Sequence, residues 1–136
     1  MRNGKTLTLK FYQNLGKLFY AIAASDNEVR KVEFDKLKEL VKKQWLGLDS
    51  IEDGFGSDAA YQIEIVFDLL NIQERLNAKS CFEDFVSYKN AQKHLFTENV
   101  RQLILKTAGA IANAFSGINK SELIMLANLD RELKNI

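Results

Sequence analysis

Three carboxylates could bind a cation: two belong to one short turn and the helix after it, and the third follows a similar turn. Asp26 lies in the turn within residues 19–34, and Glu33 opens the helix predicted to follow that turn. Glu122 has the place of Glu33 in a similar stretch at residues 110–123. Carboxylate oxygens are the ligands that Ca²⁺ and Mg²⁺ prefer in proteins. One hypothesis is therefore that Asp26, Glu33 and Glu122 converge on a divalent cation.

Helix capping is the competing explanation for two of these residues. A glutamate in the first turn of a helix meets unpaired backbone N–H groups and the positive end of the helix. That is a sufficient structural role for Glu33, and the spacing Asn119-Lys-Ser-Glu122 predicts the same role for Glu122. Capping leaves Asp26 without a necessary partner, so Asp26 carries the strongest functional expectation of the three.

A second acidic stretch, residues 47–57, contains three glycines and three carboxylates. Asp49, Asp53 and Gly54 follow the spacing of a calcium-binding EF-hand loop. Ile51 and Ala60 stand where that loop requires oxygen ligands. We therefore interpret this segment as a solvated connection between helices.

The residue types of enzyme active sites are sparse. The chain has one cysteine, Cys81, and one histidine, His94, with no local sequence that would pair them for catalysis. Motifs for nucleotide binding, zinc proteases and serine hydrolases are absent from the sequence. We predict a protein without enzymatic activity.

The composition of the chain limits the classes of partner that it could bind and indicates its cellular compartment. A formal net charge of +1 argues against nucleic acid as a partner. The longest apolar run, residues 18–24, is far too short to cross a bilayer. A single cysteine excludes an internal disulfide and fits a reducing compartment. The sequence therefore predicts a cytoplasmic protein without a transmembrane segment.

Apolar residues recur at intervals of three and four along most of the chain, which is the pattern of amphipathic helices. This pattern predicts an all-α bundle of about six helices in one domain over residues 1–136, with residues 1–8 as a flexible arm. The predicted helices begin near Leu9, Arg30, Ser57 or Asp58, Ser80, Thr97 and Asn119. Ser80 is predicted to cap the fourth helix, and Gly117 to follow the end of the fifth.

Two packing expectations follow from the same pattern. Gly16 interrupts the first helix, and its lack of a side chain would let a neighbouring helix approach closely. The third helix is expected to be the most buried, because further apolar residues widen its inner stripe. That stripe consists of Tyr61, Ile65, Leu69, Ile72 and Leu76, widened by Ile63, Val66, Phe67 and Leu70.

Residues 18–40 resemble the TerB-like family, which is named for tellurite-resistance proteins and whose fold also occurs in a membrane-linked DnaJ-type co-chaperone. The shared pattern is an alanine-rich helix end, an aspartate turn, a glutamate and a leucine-rich helix. It falls on Ala23, Ala24, Asp26, Val29, Glu33, Phe34 and Leu37. A looser copy in residues 108–127 falls on Ala112, Ile118, Glu122 and Leu123. The two copies predict two similar helix–turn–helix units.

The resemblance implies a non-enzymatic module of stress or metal response that binds partner proteins at the membrane face. The alternative that it implies is a divalent-cation-binding module acting through Asp26, Glu33 and Glu122. An interaction module should expose an apolar or mixed-charge patch. A cation-binding module should bring carboxylate oxygens together.

Overall fold

A computed structural model describes residues 8–26, 28–46, 59–73, 77–114 and 117–135. These residues form six α-helices and no strand, which confirms the predicted all-α bundle. The helices are α1 (Leu9–Ala23), α2 (Lys31–Leu40), α3 (Gln62–Gln73), α4 (Ala78–Ala91), α5 (Glu98–Ala112) and α6 (Lys120–Lys134). A π-helical turn extends α2, and short 3₁₀ turns precede α3 and α5 (Val41–Trp45, Ala59–Tyr61 and Lys93–Leu95).

The first helix, α1, is the centre of the bundle. Thr8 caps it, since its Oγ1 accepts a hydrogen bond of 3.1 Å from the N–H of Phe11. The helix packs against α3, α4, α5 and α6, and most of its residues are buried. The expectation that the third helix would be the most buried was therefore wrong.

Gly16 allows the closest approach between α1 and α3. A Cβ atom added at Gly16 would lie 2.7 Å from the carbonyl oxygen of Ile63 and 2.8 Å from Cβ of Val66. Real Cβ atoms essentially never come that close to other heavy atoms. The predicted role of Gly16 in helix packing is confirmed.

The buried face of α3 differs from the predicted one. Ile63, Phe67 and Leu70 point into the core, whereas Ile65, Leu69 and Ile72 are exposed. The ring of Phe67 stacks on Phe34 of α2 at 5.2 Å between centroids, and it meets the edge of Tyr20 of α1 at 5.6 Å. These contacts with α1 and α2 fix the rotation of α3 about its axis.

Two helix ends also depart from the predictions. Asn77, and not Ser80, caps α4, because Asn77 Oδ1 accepts the Ser80 N–H at 2.7 Å. The fifth helix ends at Ala112, earlier than predicted. Gly117 follows with φ of +87°, a left-handed conformation that favours glycine. The predicted helix start at Thr97 and the predicted cap Asn119 are confirmed.

Trp45 joins the end of the α2 extension to the core. Its side chain is fully buried, and its Nε1 donates a hydrogen bond of 3.1 Å to Oγ1 of Thr107 on α5. The rings of Tyr12 and Phe19 on α1 lie 6.5 Å and 6.4 Å from the indole. One side chain thus connects three helices, and its N–H finds a partner as buried indoles require.

Several predictions concern residues outside the described ranges. These are residues 1–7 of the predicted arm 1–8, the acidic connection at residues 47–57, the predicted helix start at Ser57 or Asp58, and Leu76. Within the described ranges, no helix combines the length and the apolar character needed to cross a membrane.

Candidate functional site: two buried carboxyl groups

Glu33 lies in the first turn of α2, where it caps the start of its own helix. Its Oε1 accepts a hydrogen bond of 2.8 Å from the backbone N–H of Arg30. Arg30 holds the N-cap position, but its side chain has no acceptor and so cannot accept from the free N–H groups of the helix. The glutamate side chain supplies an acceptor at this helix end while remaining 0 % exposed.

Glu122 repeats this arrangement at the start of α6. Its Oε1 accepts the backbone N–H of Asn119 at 3.1 Å. Oδ1 of Asn119 in turn accepts the N–H of Glu122 at 2.9 Å, which completes a reciprocal capping box. Glu122 is 1 % exposed. The capping role predicted for Glu33 and Glu122 is confirmed, but capping uses only one oxygen of each.

The carboxyl groups of these two side chains lie close together, and each has a second oxygen that capping does not use. Oε2 of Glu33 and Oε2 of Glu122 are buried, and no hydrogen-bond donor among the described residues reaches either one. The carboxyl of Glu122 is near enough to form a side-chain hydrogen bond with Glu33. Two carboxylate oxygens only repel, so this contact requires a proton or a cation between them.

The surroundings favour the neutral form of Glu33. Burial raises the pKa of Glu33 from its ordinary 4.5 to about 7, and the adjacent carboxyl of Glu122 contributes in the same direction. The hydrogen bond from the Arg30 N–H lowers the pKa but does not offset burial. A substantial fraction of Glu33 is therefore protonated near neutral pH.

Asp26 has structural partners that the sequence did not reveal. Its Oδ1 accepts the N–H of Glu28 at 3.1 Å. Its Oδ2 accepts hydrogen bonds from Nη1 of Arg30 at 3.1 Å and from Nδ2 of Asn119 at 2.8 Å. The expectation that Asp26 lacks a structural role was wrong. This carboxylate ties the turn after α1 to the start of α6.

The structure thus brings the carboxyl groups of Glu33 and Glu122 close together. Asp26 is connected to them indirectly, because its partners Arg30 and Asn119 are also the residues whose N–H groups the two glutamates accept. Among the described side chains, no three acidic, histidine or cysteine groups form a cluster that could hold a metal ion. Metal binding by Asp26, Glu33 and Glu122 stays a prediction. The oxygens that remain to bind a cation are Oε2 of Glu33 and Oε2 of Glu122.

The contribution of Asn119 was only partly visible in the sequence. Its three-residue spacing to Glu122 predicted a helix cap, but its bond to Asp26 joins residues 93 positions apart. A contact between residues so far apart in the sequence cannot be predicted from a local sequence pattern.

The two candidate nucleophilic or basic residues show no sign of activation. Cys81 is buried on α4, and burial raises the pKa of its thiol, which is the opposite of what a reactive thiolate needs. His94 is exposed in the short turn before α5.

Comparison of the chain with protein families, with curated proteins and with solved structures finds no match. The TerB-like resemblance therefore stays a prediction based on the two turns. The geometry of the carboxyl pair and the surface of the bundle provide the remaining evidence on function.

Proposed function

We propose that this protein is a non-enzymatic, cytoplasmic interaction module of the TerB-like kind, which binds a protein partner at the membrane face in a stress or metal response. The observation that supports binding is an exposed apolar surface on α3. Ile65, Leu69 and Ile72 are 50 %, 51 % and 69 % exposed. We call these three residues the α3 apolar face.

The arrangement of the α3 apolar face favours docking over incidental exposure. Its members are spaced by four and three residues, so they lie on one side of the helix on successive turns. Single exposed apolar residues are common on protein surfaces, whereas contiguous ones mark interaction sites. The opposite side of α3 is anchored by Ile63, Phe67 and Leu70, which hold the face in a fixed orientation.

A cavity on the described part of the bundle lacks the features of an enzyme site, which supports the non-enzymatic part of the proposal. An open cavity of about 450 Å³ lies between α5 and α6. Its charged side chains already have partners, since Arg101 donates to the carbonyl of Leu133 at 3.1 Å and Lys134 pairs with Asp130 at 3.0 Å. Enzyme sites instead combine enclosure by apolar side chains with a few free polar groups.

Site-specific photo-crosslinking in cells would test this proposal. A photoreactive amino acid at position 69 should form a crosslink to a protein, because the side chain lies at the centre of the α3 apolar face. The same group at Ser87, an exposed position on α4, is the matched control and should give none. Equal crosslinking at both positions, or none at position 69, would contradict docking through α3.

A second candidate function, divalent-cation binding, is favoured by the two unpartnered oxygens of Glu33 and Glu122. A Ca²⁺ or Mg²⁺ ion between the two oxygens would replace the proton that otherwise separates them. Calcium takes six to eight oxygen ligands at about 2.3–2.6 Å. Water molecules would have to supply much of this shell.

Calorimetric titration with Ca²⁺, Mg²⁺ and Mn²⁺ would test cation binding. We expect binding to be tighter at higher pH, because the cation displaces the proton held by Glu33, and the heat to depend on the buffer that takes up that proton. Glu33→Gln and Glu122→Gln should abolish binding, whereas Glu83→Gln, on the exposed side of α4, should not. The absence of heat with every ion in the wild-type protein would remove this candidate.

A further inference from the structure

We propose that the α3 apolar face binds the outer side of α6 in a second copy of this chain, so that chains associate head to tail. This inference rests on the proposed docking role of α3 and specifies its partner.

The outer side of α6 is an amphipathic surface. Leu123 and Ile124 are each more than half exposed. Lys120, Ala127 and Arg131 are also exposed, and their spacing places them on the same side of the helix. We call these five residues the α6 outer face. It combines an apolar centre with a cation near each end.

The charges of α3 are opposite to those of the α6 outer face. Helix α3 carries Glu64 and Asp68 and no lysine or arginine. Lys38 and Lys42 lie near Glu64, and their charges act to lower its pKa. Asp68 is exposed beside Leu69 and forms no ion pair with any described residue. Among the described residues, its negative charge is therefore uncompensated next to the α3 apolar face.

The cations of α6 are available for this carboxylate. In the part of the chain that the structure describes, neither Lys120 nor Arg131 forms an ion pair. Arg131 donates to Oδ1 of the neutral Asn128 on its own helix at 3.0 Å. An apolar surface with a free carboxylate thus matches an apolar surface with free cations, and such complementarity selects partners.

Charge also argues against symmetric pairing of like faces. In a two-fold antiparallel pair of α3 helices, the centre of the α3 apolar face would meet its own copy, and the two Asp68 carboxylates would approach each other. Pairing of two α6 outer faces would similarly bring cations together. Like charges at an interface oppose association, so the contact between α3 and α6 is favoured over both alternatives.

The positions of the helices allow this contact between chains. Helix α3 packs on α1 and α2, whereas α6 packs on α1 and α5, so both exposed faces lie on the outside of the bundle. A contact between two different faces leaves one of each free at the ends of the dimer. Such heterologous contacts generate rings or open chains.

Sedimentation velocity with complementary variants would test the proposal. The wild type should form larger species as its concentration is raised from micromolar to millimolar, and less so at high salt. Leu69→Lys should block the α3 apolar face and Ile124→Glu the α6 outer face, so each variant alone should stay monomeric. An equimolar mixture should form a dimer through the one intact face of each kind that remains.

Ser87→Lys is the matched surface control and should assemble like the wild type. Circular dichroism would verify that each variant is folded. Asp68→Arg and Arg131→Glu are milder changes at exposed polar positions, and they provide the same complementation test without altering apolar residues. Each should weaken self-assembly, because like charges then meet at the contact. Mixing them should restore assembly, because every contact between the two variants again pairs opposite charges.

Three outcomes would overturn the inference: a wild type that stays monomeric throughout, a mixture that forms no dimer, or assembly that depends on Leu69 but not on Ile124. If the chain is monomeric while position 69 still crosslinks to another protein, the self-association is wrong and the interaction module stands. If position 69 crosslinks to nothing, the interaction module fails as well.

Discussion

Replacing Gly16 by alanine should destabilise the protein by about 1–3 kcal/mol, the usual effect of adding atoms to a packed core. The new methyl group would lie 2.7 Å from the carbonyl oxygen of Ile63. A backbone oxygen cannot rotate away, so α1 and α3 would have to separate. Urea denaturation followed by circular dichroism would measure the change in the free energy of unfolding.

Gly109 on α5 is the matched control for this substitution. A Cβ atom there would meet nothing within 4 Å. Gly109→Ala should therefore stabilise the protein by up to about 1 kcal/mol, through the better helix propensity of alanine. Equal effects at the two positions would show that α1 and α3 are not in close contact at Gly16.

The second large expected effect is a loss of folding stability as the pH rises. The pKa of Glu33 rises from 4.5 in the unfolded chain to about 7 in the folded state, so the folded state binds the proton more tightly. The stabilisation from this proton is complete below the unfolded pKa and is lost as the pH rises through the folded pKa. Since one pKa unit corresponds to about 1.4 kcal/mol, the decline between pH 5 and 8 should be about 2–3 kcal/mol. Urea denaturation at a series of pH values, with a chelator present, would measure it.

Glu33→Gln should remove most of this decline. The glutamine oxygen can still accept the Arg30 N–H, and its amide can donate to Oε2 of Glu122 at every pH. The variant should match the wild type near pH 5 and exceed it near pH 8. Burial also raises the pKa of Glu64 on α3, so Glu64→Gln is a control expected to remove only a smaller part. A wild-type stability that is constant over this range would contradict a shared proton.

Helix α3 illustrates what its own sequence could not decide. Apolar residues lie on two sides of it, Ile63 with Phe67 and Leu70 on one, and Ile65 with Leu69 and Ile72 on the other. Periodicity predicts a helix from either set but does not choose between them. The choice depends on Gly16 facing Ile63 and on Phe34 stacking on Phe67, and both contacts involve other helices.

In the candidate site, the contacts within one turn were predictable from the sequence, whereas the contacts between the two turns were not. Capping by Glu33 and Glu122 was predictable, because each depends on a spacing of three residues within one turn. Their mutual contact and the bonds of Asp26 depend on how the two turns meet in space. The six helices were similarly predictable, whereas Asn77 was missed as a cap because Ser80 and Glu83 offered a competing local pattern.

Trp45 provides an intrinsic fluorescent probe of the packing of the bundle. It is the sole tryptophan of the chain, and it is buried between α1 and the Thr107 hydroxyl of α5. Its intrinsic fluorescence therefore arises from one defined place, where three helices meet. A change in emission reports the separation of the α2 extension from that place, without any label added to the protein.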